Sequence, residues 1–334
     1  MIVVTGATGH VGNVLVRQLC EEGKTVRAMV LPGEDCSALD GLGVEVVEGN
    51  VLNPEELERA FTGARVVFHL AGMISILPGR DERVWQVNVQ GTHNVLDAVR
   101  KMGVGRLVYT SSIHALTRIP DGVIIDEQIP FDPETEISDY DRSKATASLE
   151  VLKAVHEEGL DAVIICPTGI IGPYDFRLSE MGRLIVDALR RRLNFSVEGA
   201  FDFVDVRDVA RGHILAAEYG RKGEVYILSG ERIKIFNLVK LVQNLAGVRS
   251  WVVNVPYKLA AFSAGFTPLL SRIIRHTPRF TRYSLQTVRD NSVISSEKAG
   301  RELGYQPRSL RESLEDTVSW WMQQFRMKKK MGKI

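Results

Sequence analysis

The sequence predicts an α/β fold, a doubly wound parallel sheet followed by a smaller C-terminal lobe. Three observations carry that expectation. A β-branched run, Ile2-Val3-Val4, breaks into Gly6-x-x-Gly9-x-x-Gly12, after which Val11, Val14, Leu15 and Leu19 recur at helical spacing. Strand-like and helix-like segments alternate through the first two-thirds of the chain. From about Gly172 that rhythm gives way to longer loops and helical pieces.

After the first strand and helix, further strands are expected at residues 25–30, 44–47, 65–70, 106–111 and 161–166, all rich in apolar and β-branched residues. Helices are expected between them at 55–61, 82–102 and 140–158. Such alternation requires right-handed crossovers and a parallel sheet covered on both faces. The C-terminal third is expected to fold onto the carboxyl edge of the sheet, where open α/β sheets bind ligands.

With 334 residues, the chain can bury one large α/β domain, or one plus a smaller lobe. A net charge of +1 gives no reason to expect nucleic acid as a partner. Three widely spaced cysteines, Cys20, Cys36 and Cys166, form neither a metal pattern nor an even disulfide set, so no metal and a reducing, cytoplasmic compartment are expected. A core strand at residue 2 leaves no room for a secretory signal. Residues 259–270 are interrupted by Gly265 and Pro268, too short and too broken for a membrane span. They read as part of the C-terminal lobe, with contact to a membrane surface or an apolar substrate as the alternative. Lys328, Lys329 and Lys330 read as a solvated tail.

The glycine run between a strand and a helix N-terminus builds an anion site, because backbone N–H groups and the helix dipole face the ligand. Its spacing differs by one residue from the common dinucleotide fingerprint. Tyr140-Asp-Arg-Ser-Lys144 places an ammonium one helical turn from a phenol, which favours phenolate and suits acid–base chemistry at an alcohol or carbonyl oxygen. As an isolated pair it is an ordinary surface contact. The strand at 106–111 leads into Thr110-Ser111-Ser112, hydroxyls standing where a substrate oxygen would lie. Alone, such a cluster closes a turn or caps a helix.

Thr5-Gly-x-x-Gly-x-x-Gly12, His69-Leu-Ala-Gly72, Asn88-Val-x-Gly91-Thr92, Thr110-Ser-Ser112, Tyr140-x-x-Ser-Lys144, Pro167-x-x-x-x-Gly172-Pro173, Phe203-Val-Asp-Val-Arg-Asp208-Val-Ala210 and Leu303-Gly-Tyr-x-Pro307 occur in that order. Together they resemble the extended short-chain dehydrogenase/reductases of the NAD(P)-dependent epimerase/dehydratase type. The flavour is similar to the dihydroflavonol-reductase-like branch and to the 3β-hydroxysteroid dehydrogenases. The resemblance implies a Rossmann-type domain over residues 1–172, with a strand and helix returning from about 203–230, and a mainly substrate-binding lobe over 173–330.

It further implies that Tyr140 gives or takes the proton, Lys144 tunes it and holds the nicotinamide ribose, and Ser112 bonds the reacting oxygen. Asn88 either supports a proton relay or ties down its helix, two readings that stand level. Gly6, Ala7, Thr8, Gly9, His10, Val11 and Gly12 would face the pyrophosphate, Asn50 and Val51 the adenine. Leu70, Ala71, Gly72, Thr110, Pro167, Thr168 and Ile170 would complete the cofactor contacts. Substrate contacts are expected from Met73, Ile113, His114 and Tyr174, aided by Ile74, Ile76 and residues 259–270. His114 reads as a second acid or as a pocket wall without chemistry. A homodimer packed through the helices at 82–102 and 140–158 is implied as well.

Cofactor choice rests on the end of the second strand. NAD enzymes carry an acid there, whereas Val30 is followed by Leu31-Pro32-Gly33, with Glu34 and Asp35 only later. Loss of that carboxylate removes repulsion against a 2′-phosphate, so NADP is expected over NAD. The arginine often found at Leu31 in reductases is missing too; Arg27 either reaches the phosphate or is a solvated strand residue.

Ile113-His114 replaces the acidic pair of the dehydratases, which argues against sugar dehydration. Thr168 or Gly169, and Phe201, stand where sugar-nucleotide epimerases have Asn and Arg. Arg177, Arg183 and the run Arg190, Arg191, Arg192 remain as partners for a diphosphate. The apolar palette suits an uncharged carbonyl or alcohol substrate. The expected activity is hydride transfer between a nicotinamide and a ketone or secondary alcohol. The alternatives are a nucleotide-sugar epimerase with tightly held NAD and a non-catalytic NADP-binding regulator.

Overall fold

The computed structural model describes residues 1–75, 81–190, 193–265 and 282–330. Its twelve described strands are β1 (Ile2–Thr5), β2 (Val26–Val30), β3 (Glu45–Glu48), β4 (Val66–His69), β5 (Arg106–Thr110), β6 (Ala162–Pro167), β7 (Gly169–Ile171), β8 (Leu193–Val197), β9 (Ala200–Asp205), β10 (Val225–Leu228), β11 (Glu231–Lys234) and β12 (Trp251–Val255). Seven of them form one parallel sheet in the order β10-β6-β5-β4-β1-β2-β3. The order reverses between β1 and β4, which opens a crevice at their carboxyl ends.

Each expected strand lies within two residues of its place. The helices are α1 (His10–Glu21), α2 (Pro54–Phe61), α3 (Glu82–Trp85), α4 (Gly91–Lys101), α5 (Asp139–Glu158), α6 (Glu180–Arg190), α7 (Val206–Tyr219), α8 (Ile235–Leu245), α9 (Tyr257–Gly265), α10 (Arg282–Thr287), α11 (Glu297–Leu303) and α12 (Leu310–Lys330). Leu57, Val95, Val99 and Val151 bring α2, α4 and α5 onto one face of the sheet. Val14, Leu15, Val209, Ile214 and Leu303 bring α1, α7 and α11 onto the other. Strands buried on both sides explain why Ala162–Pro167 reads as one apolar run.

The helix expected over 82–102 is one rod with a defect: a π-helical turn, Gln86–Gln90, separates α3 from α4. Such a turn admits one extra residue and re-aims the side chains within it. Asn88 is the residue it buries.

Beyond β6 the chain builds two smaller sheets, β11-β9-β7 and the parallel ribbon β12-β8. Arg308 binds Asp208 at 2.9 Å and pins the segment before α12 to α7. Ile76, Arg191, Arg192 and residues 266–270 lie outside the described residues, and Arg190 stacks on the Phe325 ring. No helix among the described residues is long and apolar enough to cross a membrane.

Gly230 lies where a Cβ would stand 2.1 Å from the Phe203 carbonyl oxygen, between β10 and β9. Gly230→Ala is therefore expected to cost about 1–3 kcal/mol of stability, measured by denaturant unfolding. An unchanged midpoint would show that the two segments separate freely.

Candidate active site

The nucleotide end of the crevice is built from backbone. Gly6 adopts φ +67°, and a Cβ there would meet Ala71 N at 2.7 Å; one at Gly12 would meet the Gly6 oxygen at 2.1 Å. The loop thus folds under the first turn of α1 and presses on the Leu70–Ala71 backbone. Gly9 caps α1 without a side-chain hydrogen bond, and no acid occupies the first turn. The N-terminal N–H groups are left to an outside anion, which fits a dinucleotide pyrophosphate. Ala7 and Thr8 are buried and Val11 is half-buried. His10 Nε2 bonds the Pro173 carbonyl at 2.9 Å, and Asn13 donates to Tyr174 O at 3.2 Å, so the following loop is tied to the cradle.

A hydrogen-bond chain crosses the switch point. Thr92 donates to the Asn88 carbonyl at 2.7 Å, leaving its oxygen to accept from His69 Nε2 at 3.1 Å. His69 Nδ1 then accepts from Thr5 Oγ1 at 2.8 Å. Burial and the nearby Lys144 charge push His69 down to about 3, so this ring is neutral. The Asn88 amide is fully used: its oxygen accepts the Met73 N–H at 2.8 Å, and its nitrogen donates to Met73 O and to Ser143 Oγ, each at 2.9 Å. Gly72 lies beside it, where a Cβ would stand 3.1 Å from Asn88 Oδ1 and in van der Waals contact with Lys144 Nζ. Val51 is buried; Asn50 is half-buried, and its amide oxygen accepts the Leu52 N–H at 3.0 Å.

At the carboxyl end of β5 the structure brings Ser112, Tyr140 and Lys144 together. The Ser112 hydroxyl accepts the His114 N–H at 3.2 Å and, beside the Tyr140 phenol, acts to lower its pKa against burial. Lys144 Nζ donates to the Thr110 carbonyl at 2.7 Å. The electrostatics correct one expectation: burial pushes Tyr140 up to about 12 and Lys144 down to about 8. The ammonium is aimed at Thr110, and desolvation of the phenol outweighs any pull toward phenolate. The Thr110 hydroxyl bonds His213 Nε2 at 2.8 Å.

On the substrate side, Ile113 and His114 line a pocket with Ile119, Ile125, Phe201 and Ile294. His114 stacks on Phe201 at 5.5 Å, and burial lowers its pKa. Met73 is held by Asn88, and Ile74 is exposed. Tyr174 is a correction: its backbone is left-handed, φ 67°, and its ring lies against Phe176, Trp320 and the Arg17 guanidinium on the α1 side. Pro167 and Thr168 are buried and Ile170 half-buried. Thr168 donates to Asp202 at 2.6 Å.

Sequence reasoning missed several partners. Tyr283 donates to the buried Asp141 at 2.8 Å, and Arg118 binds the same carboxylate at 3.0 Å. Asp141 lies inside the Tyr140–Lys144 motif, but no spacing rule points from it to residues 118 or 283. A third correction concerns the ribose end. Glu34 folds back so that its carboxylate accepts the Leu31 N–H at 3.1 Å, which puts an acid at the end of β2 after all. Arg177 bridges that carboxylate to Thr8 Oγ1. A turn, with Glu34 N–H bonded to Leu31 O at 3.0 Å, does what strand position does not. Arg27 is tied to Glu45 and to the Ala60 and Thr62 carbonyls. No group of metal-ligating side chains is present among the described residues.

A family model, the NAD dependent epimerase/dehydratase family, matches residues 2–229. The chain is 37% identical over 324 residues to sterol demethylase protein B of Methylococcus capsulatus, covering 96% of this chain and 97% of that one. It is 30% identical to 4-hydroxy-2-methyl-3-oxo-4-farnesyl-3,4-dihydroquinoline-1-oxide ketoreductase of Stigmatella aurantiaca, covering 90% of each. The crystal structure of gox2253 superposes with a TM-score of 0.85 at 36% identity, over 98% of this chain and 99% of that one.

The high phenol pKa is directly measurable. Tyrosinate absorbance of the protein alone, minus that of Tyr140→Phe, should show Tyr140 ionising near pH 12. A midpoint below about 9, under the ordinary tyrosine value, would mean that Lys144 already governs the phenol.

Proposed function

Because the chain belongs to the NAD-dependent epimerase/dehydratase family and is an NAD(P)-dependent oxidoreductase of the extended short-chain dehydrogenase/reductase type, we propose that Ser112, Tyr140 and Lys144 carry out its reaction on an apolar ketone or secondary alcohol. The observation that carries this reading is the convergence of a hydroxyl, a protonated phenol and an ammonium beside Gly72, at the switch point of the sheet. A bound nicotinamide supplies or accepts the hydride. In reduction, Ser112 donates to the carbonyl oxygen and Tyr140 delivers its proton as charge develops there. Lys144 then faces the phenolate, and its ammonium offsets that charge. Asn88 acts as the tie that holds the 72–73 segment against α5.

The substrate class follows from the walls. Ile113, Ile119, Ile125, Phe201 and Ile294 offer apolar contact, and the cations at the pocket are engaged by carboxylates, as Arg118 is by Asp141 and Asp290. The names of the two relatives, a sterol demethylase component and a farnesyl-quinoline ketoreductase, point toward polycyclic or isoprenoid compounds. A sugar-nucleotide epimerase is the second reading. Phe201 argues against it, since it stacks on His114 where a diphosphate needs a cation. The complete hydroxyl–phenol–ammonium set argues against a non-catalytic regulator.

For the cofactor we read NAD, with NADP as the alternative. Supporting NAD, Glu34 offers a carboxylate for ribose hydroxyls, and the Glu48 carboxylate stands close by, accepting the Gly33 N–H at 3.1 Å. A 2′-phosphate would meet that negative field. Cys20, Cys36 and Cys166 are free thiols, in keeping with a reducing, cytoplasmic compartment. Exposed Trp85 and Leu149 on α3 and α5 support a homodimer packed through these helices.

Tyr140→Phe is expected to leave cofactor affinity within about twofold while cutting turnover about 10²–10⁴-fold, followed by reduced-nicotinamide absorbance with a ketone panel. Full turnover would remove Tyr140 from the reaction. Glu34→Gln should lower the NAD-over-NADP preference in kcat/KM by about tenfold. A wild-type preference for NADP that survives this change would reverse the cofactor reading.

A further inference from the structure

The ribbon formed by β8 and β12 turns a run of large apolar side chains outward. Its register pairs Trp251 with Leu193 and Val253 with Phe195, and side chains at these alternating, paired positions share one face of the sheet. That face points to solvent: Trp251 is 79% exposed, Leu193 44%, Phe195 42% and Val253 42%. On β8 the alternate residues, Asn194 and Ser196, are polar and buried, whereas on β12 they are half-buried Val252 and exposed Asn254. Asn194 donates to Ser250 Oγ at 3.2 Å, and Ser196 donates to Asn254 at 3.3 Å. Exposed Leu259 on α9 follows within a few residues. Four adjacent apolar side chains turned outward from one ribbon mark an interaction surface.

Charge identifies the partner. Residues 232–289 contain ten Lys and Arg and no Asp or Glu. The rest of the chain, with 32 basic and 41 acidic residues, carries −9, so almost neutral overall charge conceals a strongly polarised molecule. Arg249 and Lys258, both exposed, flank Trp251 and Leu259 in sequence. A second copy of this chain would bring its own Arg249 and Lys258 against the first pair. A nucleic acid would take the cations and leave the Trp, Phe, Leu and Val side chains without an apolar medium. An anionic bilayer takes both, because apolar side chains enter the acyl boundary while Lys and Arg near the surface are attracted to the anionic headgroups.

We propose that the outward face of the β8–β12 ribbon, with its basic surround, docks this protein on anionic membrane surfaces. Docking needs no spanning segment, and it presents the C-terminal lobe to the lipid phase. It stands on surface geometry and charge, independently of the substrate reading. It also suits an apolar substrate drawn from a bilayer.

The test is cosedimentation of the full chain with vesicles of phosphatidylcholine alone or with about 30% phosphatidylglycerol, at low salt and at about 0.5 M NaCl. Binding is expected to the anionic vesicles, at least about tenfold tighter than to the neutral ones, and to weaken with salt. Two double variants locate it: Phe195→Ser with Trp251→Ser, and Arg249→Glu with Lys258→Glu. Each should lose about tenfold or more in vesicle affinity, with unchanged circular dichroism and reductase activity on a soluble ketone. Absence of binding to anionic vesicles, or undiminished binding by both variants, would overturn the proposal. So would a dimer in analytical ultracentrifugation that dissociates on Phe195→Ser with Trp251→Ser. Tighter binding to a short DNA duplex than to vesicles, lost with the charge variant alone, would overturn it in favour of nucleic acid.

Discussion

The side-chain amide of Asn88 ties together the three segments on which the site depends. One amide oxygen and one nitrogen hold the Met73 backbone in both directions, and the second N–H reaches Ser143 on the helix that carries Tyr140 and Lys144. A buried amide with every function matched costs little, whereas a half-matched one is expensive. The arrangement therefore has a single favourable geometry. It rests on the π-helical turn that buries residue 88, and Gly72 leaves room for it, since a Cβ there would stand 3.1 Å from the amide oxygen.

From that tie the chemistry follows by position. The parallel sheet delivers β1, β4 and β5 to one edge, and their carboxyl-end loops supply the glycine cradle, the 70–73 segment and Ser112. Helix α5 crosses the same edge and lowers a phenol and an ammonium into a desolvated space. Burial holds the phenol protonated, near 12, and draws the ammonium down to about 8. Both groups thus stand ready to respond to a neighbouring charge. Beyond His114, Ile113, Ile119, Ile125, Phe201 and Ile294 give the neighbouring pocket apolar walls.

Much of this was legible in the sequence because it is local or periodic. Strand and helix positions came from apolar spacing, and the cradle from glycines whose missing side chains admit backbone contacts. Tyr140 and Lys144 are one turn apart, so their shared face is a property of any helix. What was not legible depends on turns and long-range contact. Glu34 reaches the end of β2 only because residues 31–34 turn back, and Arg177 meets it across the whole fold. Tyr174 departs from the substrate group because a left-handed backbone rotates it toward Trp320. The direction of the Tyr140 shift was misjudged for a related reason: helical spacing reports proximity, but the depth of burial, which dominates here, is a tertiary property.

The central claim is that this edge moves a hydride to carbon in an apolar substrate with net consumption of cofactor. The most direct measurement is mass spectrometry of products formed with nicotinamide cofactor deuterated at the transferable C4 position, offered with a panel of apolar ketones. The account predicts one deuterium at the carbinol carbon for each cofactor oxidised. Deuterium that stays on a cofactor never released, while a sugar nucleotide changes configuration, would contradict it and make the protein an epimerase.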